Sequence, residues 1–268
     1  NYVKIYILKF LLYSTYPSQY KSNNMDISRN DLKKFSSLKR KTKRHEHNLF
    51  VVEGEKICSE LHKSNLEIVI TLATSELKSI YPEYTMCSQK DISRISSLKS
   101  PSNVLAICKI PKNEINLKNE KPLIFLDNIS DPGNLGTIIR TLDWFGFKEV
   151  FCSKETVDTY NNKTVMASMG SIFRIQTHYI EFIELQKLFP NHDLYRTSIK
   201  GKNIEDLEIK PNSIIVIGNE SIGVSDKLKK IIPNTLTIPG NGQAESLNVS
   251  VASGIILNEL VKKINLQT

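Results

Sequence analysis

Three short stretches of this 268-residue chain collect side chains able to do chemistry. DNISDPGNLGTIIRT, Asp127 to Thr141, carries an amide at Asn134 and a guanidinium at Arg140. GNESIGVS, Gly218 to Ser225, carries a carboxylate at Glu220. IPGNGQAESLNVSVASG, Ile238 to Gly254, sets Ser246 and Asn248 around Leu247. Each stretch ends an apolar run of strand type and opens a run with helical spacing. Backbone N–H groups at a helix start are free to face a ligand, and open parallel sheets bind ligands beyond the carboxyl ends of their strands. None of the three has the G-x-G-x-x-G spacing of a dinucleotide site or the spacing of a P-loop, so a nucleotide-phosphate cradle is disfavoured. The same residues also have plainer uses. Asn134 and Ser246 suit helix N-caps, worth about 1 kcal/mol each. Arg140 can pair with Asp143 at i+3, Glu220 can be a solvated loop acid, and Ile238 and Leu247 read as core.

The elements that must position these loops are legible as runs. LIFLDNI is a continuous apolar strand of the buried parallel type. The helix LGTIIRTLDWFG follows, with Ile138, Leu142 and Phe145 at helical spacing. Then come strand EVFCS, helix NKTVMASMG, strand FRIQTHYI, helix IELQKLF, strands DLYRTS and SIIVIGNE, helix SDKLKKII, strand TLTIP and a last helix to about Lys263. The alternation predicts a mostly parallel sheet with helices on both faces. Along the last helix, Ser246, Ser250 and Gly254 recur every four residues, a small-residue stripe that permits close backbone contact.

Upstream, a short basic helix is expected over Ser28 to Leu38. A strand follows at Leu49 to Val52, then a helix to about Lys63, strand EIVITLAT, strand and helix in YTMCSQKDISRISSL, and strand SNVLAICKI. This makes a smaller α/β unit over residues 25–110. The Pro-bounded polar segment 111–121 reads as a linker to the second unit, 122–268. Residues 1–24 are expected to lie upstream of the natural start at Met25: the apolar run near Ile5 is broken by Lys9 and is too short to cross a membrane.

The net charge is +8, and the excess is concentrated. Arg29, Lys33, Lys34, Lys39, Arg40, Lys41, Lys43 and Arg44 stand against a single acid, Asp31, which points to a polyanionic partner. Lys39, Arg40, Lys41, Lys43 and Arg44 are the candidate phosphate contacts. The four cysteines are scattered without Cys-x-x-Cys pairs, which argues against a metal site or a disulfide frame and fits a reducing cytosol.

The three loop stretches, in order and with ordinary spacing, resemble the three motifs of the SpoU (TrmH) family of RNA ribose 2′-O-methyltransferases, of the SPOUT class. The likeness runs from Leu123 to the end. LKRKTKRHEHNLFVVEGEKI and SPSNVLAI resemble the family's amino-terminal substrate-binding domain, over Ser28 to about Ile110. The resemblance implies an α/β chain: a small α/β RNA-binding domain, then a knotted (trefoil), mostly parallel α/β methyltransferase domain. It implies S-adenosyl-L-methionine, with Thr197, Gly218, Ile238 and Leu247 around it. It implies catalytic roles for Arg140, Asn134, Glu220, Ser246 and Asn248, ribosomal or transfer RNA as substrate, a homodimer, no metal and a cytoplasmic setting. The rival readings are a non-catalytic RNA-binding protein with the same fold and a methylase of bases.

Overall fold

The computed structural model describes residues 27–74, 81, 83–118 and 120–265. The expected leader, residues 1–24, lies outside them. The amino-terminal part starts with α1 (Arg29–Ser37), capped by Ser28, whose hydroxyl accepts from the Asp31 amide at 3.1 Å. A second helix, α2 (Lys41–His47), was not anticipated. Its sequence KTKRHEH has no apolar periodicity, and its one buried side chain is Arg44. Then follow β1 (Leu49–Glu53), α3 (Glu55–His62), β2 (Ile68–Ala73), β3 (Thr85–Met86), α4 (Gln89–Ile95) and β4 (Val104–Lys109). The sheet order is β1-β4-β2-β3; β4 runs antiparallel to β1 and β2, and β3 is parallel to β2.

The second part comprises β5 (Leu123–Leu126), α5 (Pro132–Trp144), β6 (Glu149–Cys152), α6 (Asn162–Ser168), β7 (Gln176–Tyr179), α7 (Phe182–Leu188), β8 (Asp193–Asn203), β9 (Ser213–Ile217), α8 (Asp226–Ile231), β10 (Thr235–Thr237) and α9 (Val249–Asn265). The strand order is β10-β8-β9-β5-β6-β7, and every neighbouring pair is parallel. The chain runs outward from β5 through β6 to β7 and then returns to build the other half beside β9. The order therefore reverses between β5 and β9, where a doubly wound sheet opens its crevice.

Strand alternation assigns each residue to a layer. Ile124, Leu126, Ile215 and Ile217 join Leu135, Ile138, Leu142 and Val165 of α5 and α6 and Ile256 and Leu257 of α9 on one face. Phe125, Ile214 and Val216 join Phe182, Leu185 and Leu228 of α7 and α8 on the other. The first core continues into the small sheet through Phe50, Val52, Ala106 and Cys108. The opposite face of the small sheet packs Leu49, Val51 and Ile107 under Leu32, Phe35 and Ile95. The two sheets thus share one apolar layer. Among the described residues, no helix is long and apolar enough to cross a membrane.

The last helix begins at Val249, not at Ser246. Asn248 is the residue at its start, with its side-chain oxygen accepting from the Ser250 amide at 2.8 Å. The expected N-cap role of Ser246 is therefore wrong, and Ser246 is not on the helix's small stripe. That stripe is Ser250 and Gly254, and Gly254 lies close to Thr141 of α5.

The tightest helix crossing is α5 on α6. A Cβ at Gly136 would lie 2.5 Å from the Thr164 carbonyl oxygen and 2.7 Å from Ala167 Cβ. Backbone at that distance cannot yield as a flexible side chain can. Gly136→Ala should therefore cost about 1–3 kcal/mol of overpacking, more than the helix propensity it gains. Urea denaturation of wild type and variant measures this; equal midpoints would show that the crossing is slack.

Candidate active site

The three polar loops emerge at the carboxyl ends of β5, β9 and β10 and are joined by direct hydrogen bonds. Asp131 caps α5, its Oδ1 accepting from the Asn134 amide at 2.8 Å. This fixes the Asn134 backbone at the first turn. Its side-chain Nδ2 donates to Glu220 Oε1 at 2.8 Å. Its Oδ1 accepts from Asn248 Nδ2 at 3.1 Å. The Asn248 oxygen then accepts from the amide and the hydroxyl of Ser250, at 2.8 and 2.6 Å. Residues 86 and 114 positions from Asn134 thus meet on its two amide atoms.

The polarity of this relay follows from its charged end. A carboxylate only accepts, so the Asn134 NH2 must face Glu220 and its oxygen must face Asn248. The other Glu220 oxygen accepts from the Ser130 hydroxyl at 3.2 Å. Partial burial raises the Glu220 pKa, but the bond from Asn134 and backbone N–H groups of residues 220, 130 and 131 outweigh it and hold the carboxyl below its ordinary value of 4.5. A carboxylate stabilised in this way with both oxygens engaged is a poor proton acceptor at neutral pH.

Residues not singled out in the sequence support the relay. Asn219 donates to the Asn128 carbonyl at 2.7 Å, with Asn128 itself at φ 60°. Asp127, buried at the end of β5, accepts from the Ser225 amide at 2.7 Å. The legible signal was the density of short polar residues directly after an apolar strand. Asp, Asn and Ser there bond to neighbouring backbone.

The remaining candidates divide. Gly218 is buried, and its amide approaches Thr197 Oγ1 at 3.4 Å. A Cβ at Gly218 would lie 2.2 Å from the Val224 amide nitrogen, so only glycine fits. Ile238 is half-buried against the core. Leu247 is 47% exposed, so the plainer alternative of a core residue does not hold for it. Ser246 is exposed and outside the relay. Arg140 is also exposed and, among the described residues, has no ion pair. At 100° per residue it stands about 120° round α5 from Asn134. The plainer alternative, a pair with Asp143, does not occur: Asp143 accepts from Arg174 Nε and Nη2 at 2.9 and 2.7 Å.

In the basic segment, Lys39, Arg40 and Lys41 are exposed. Lys41 Nζ lies 6.0 Å from the Tyr179 ring centre, and Lys43 pairs with Glu46 at 2.5 Å. Arg44 is 2% exposed and forms an ion pair with Asp158. Its guanidinium faces the interior, so it is removed from the phosphate contacts.

Backbone groups of Gly240–Leu247 carry no hydrogen bond to the other described residues in this structure. They are neutral donors and acceptors that follow β10 and half-buried Ile238. Such a set fits a flat heteroaromatic group better than a phosphate.

Residues 121–258 match the model of the SpoU rRNA Methylase family, and residues 29–106 match the MRM3-like substrate binding domain. The 23S rRNA (guanosine(2553)-2′-O)-methyltransferase RlmP of Bacillus subtilis (strain 168) is 31% identical over 243 residues, covering 86% of this chain and 94% of that one. The 23S rRNA (uridine(2479)-2′-O)-methyltransferase of Streptomyces viridochromogenes is 25% identical over 217 residues, covering 76% and 73%. Among solved structures, the AdoMet-bound rRNA methyltransferase of Sinorhizobium meliloti superposes with a TM-score of 0.78 at 25% identity, over 89% of this chain and 97% of that one.

The lowered pKa of Glu220 makes a signed prediction. Its stabilising bonds are fully present above the unfolded value near 4.5 and are lost as pH falls through the lower folded value. Glu220→Gln should therefore cost roughly 1 kcal/mol at neutral pH, a hydrogen-bond loss discounted for solvent screening. The difference should shrink as the solution is acidified below the folded value. Urea midpoints of both proteins along a pH series test this, and a pH-independent gap would remove the charge from the account.

Proposed function

The chain belongs to the SpoU rRNA methylase family, and from that membership we propose that it transfers a methyl group from S-adenosylmethionine to a ribose 2′-hydroxyl of RNA. The observation that carries the reading is the Asn248–Asn134–Glu220 relay, which ties together the three loops that family members share. The non-catalytic reading is the weaker one, since the matched relatives are named as methyltransferases. Ribosomal RNA is the favoured substrate, since the relatives named above act on 23S rRNA. We keep the division at 111–121, with residues 25–110 as the substrate-binding part, the threaded trefoil course of the last helix and a cytoplasmic setting as parts of the same proposal.

The free backbone groups of residues 240–247, with Ile238, Gly218 and Thr197, would hold the cofactor. When bound, S-adenosylmethionine supplies a methyl group made electrophilic by its sulfonium. The chain has to orient the ribose and offer its proton a route. The relay holds Asn134 and Asn248 in one orientation, so their amides meet the ribose without reorganising. Arg140 is exposed and uncommitted, free to grip an RNA phosphate and to stabilise the developing alkoxide. A guanidinium does not lose its proton in proteins, and Glu220 is a poor acceptor. The proton has to leave as attack proceeds, and the groups available to take it are an RNA phosphate, Glu220 and water. Lys39, Arg40 and Lys41 would hold the RNA backbone at a distance from this centre.

Arg140→Ala should slow single-turnover methyl transfer at saturating RNA and cofactor by about 100-fold, the size of one lost charge-stabilising donor. Affinity for S-adenosylhomocysteine, read by calorimetry, should stay within about twofold. A variant with near-normal speed would take Arg140 out of the mechanism.

The homodimer belongs to this proposal. Val251 and Ile255 stand four residues apart on α9 and are 52% and 36% exposed, Leu247 just before that helix is 47% exposed, and Trp144 of α5 is 84% exposed. A second copy of the chain is the occupant that would cover this apolar stripe. Val251→Asp with Ile255→Asp should yield a monomer by light scattering where the wild type is a dimer. A monomeric wild type would sink the assignment.

A further inference from the structure

We propose that Arg44 and Asp158 form a positioning lock, which fixes the RNA-gripping turn of the small sheet against the methyl-transfer centre. The inference rests on the function proposed above and concerns geometry that the family motifs do not describe.

Arg44 belongs by sequence to the basic cluster but contributes nothing to its outer surface. Its Nε and Nη2 both donate to Asp158 Oδ2, the former at 2.8 Å. Its Nη1 reaches back to the carbonyls of Leu38 and Lys39, at 2.8 and 3.1 Å. One buried guanidinium therefore holds the turn that carries Lys39, Arg40 and Lys41. Asp158 shares in the clamp through its other oxygen, which accepts from the Tyr160 amide at 3.3 Å. The Tyr160 ring packs on Phe50 of β1, 4.6 Å between centroids.

Asp158 lies on the loop after β6, at the sheet end where the relay sits. That loop is bonded directly to the segment leading into α5. The Ser153 amide donates to Leu126 O at 2.9 Å and the Val157 amide to Ile129 O at 2.8 Å. The Asn128 amide donates to Ser153 Oγ at 3.0 Å. Ser130, the next residue but one, holds Glu220. Tyr179 closes the circuit. Its hydroxyl donates to Val157 O at 2.6 Å and accepts from the Thr159 amide at 2.8 Å, while Lys41 stands over its ring. An unbroken path of short bonds thus joins the basic turn to the relay.

A pair that served stability alone would be replaceable without affecting the rate of a folded variant. A lock acts differently. In-line displacement depends on sub-ångström placement of the reacting atoms, and RNA held by Lys39–Lys41 is only as well placed as that turn. Loosening the lock should leave the cofactor loops untouched, since they hang from β8, β9 and β10.

Asp158→Asn and Arg44→Lys test the lock. Both should slow single-turnover methylation at saturating RNA and cofactor by at least about tenfold, while S-adenosylhomocysteine affinity stays within about twofold. Arg44→Gln, which removes the charge, should leave the slope of log affinity against log salt unchanged, whereas Lys41→Gln should reduce it by about one unit. Thr159→Val, a nearly isosteric change on the same loop, should slow methylation to a smaller extent and serves if Asp158→Asn does not fold. Folded variants with wild-type rates overturn the lock, as does a reduced salt slope in Arg44→Gln, which would make Arg44 a phosphate contact. Wild type on the same RNA is the control that separates the two readings: if it is inactive, the proposed function fails and the lock fails with it.

Discussion

Every neighbouring strand pair in the six-stranded sheet is parallel, and this one constraint puts all of its strand ends on the same side. Parallel strands need crossovers, so each carboxyl end must lead through a loop into the next element. The polar loops after β5, β9 and β10 therefore converge although they are up to 114 residues apart in the chain. The placement of β9 beside β5 brings Glu220 within reach of Asn134, because the Asp127 amide already donates to Ile217 O at 2.8 Å across that pair. Had β9 joined the far edge, the same residues would be strangers. The relay is a consequence of strand order.

The second dependence runs through the shared core. Phe50 and Val52 of the small sheet belong to the same buried cluster as Val165 of α6 and Ile172 of the turn that follows it. Two units that meet through a continuous apolar layer do not move as beads on a string. This is why a buried ion pair can be tolerated between them. Isolated charges would be costly to desolvate, and the Arg44–Asp158 pair is kept only because carbonyls and amides satisfy the remaining donors and acceptors. Such pairs contribute little net stability relative to apolar substitutes, but they are directional. That direction fixes the turn that carries Lys39, Arg40 and Lys41.

Much of this was legible in the sequence, and the failures have physical causes. The strands and helices of the second part were readable because their apolar runs are long and their loops are dense in Gly, Asn, Asp and Ser. The start of the last helix was not, because Ser246 and Asn248 are both good caps. The choice between them is made by a contact with Asn134, far away in the chain. Arg44 was misread for a related reason: nothing local distinguishes it from Lys43, and its burial is decided by an aspartate 114 residues on. The Arg140–Asp143 pair failed because Arg174, from the turn after α6, competes successfully for the same carboxylate. Local spacing proposes partners, while tertiary competition selects them. The helix α2 escaped notice because its sequence has no apolar stripe, and the lock that secures it is polar.

The assignment of Glu220 shows how environment separates two roles available to the same side chain. A carboxylate in an apolar pocket would have its pKa raised and could accept a proton near neutral pH. Here the burial is partial, and the donors from Asn134, Ser130 and the local backbone dominate. The charge is retained, and it sets the direction of every amide behind it. Reversing Asn134 would set its oxygen against a carboxylate and its NH2 against the Asn248 NH2, two repulsions in place of two bonds. The negative charge thus acts at a distance of two side chains, by keeping the amide at the last helix in one orientation. Arg140, exposed on α5 and without an ion pair among the described residues, lies outside this bonded set.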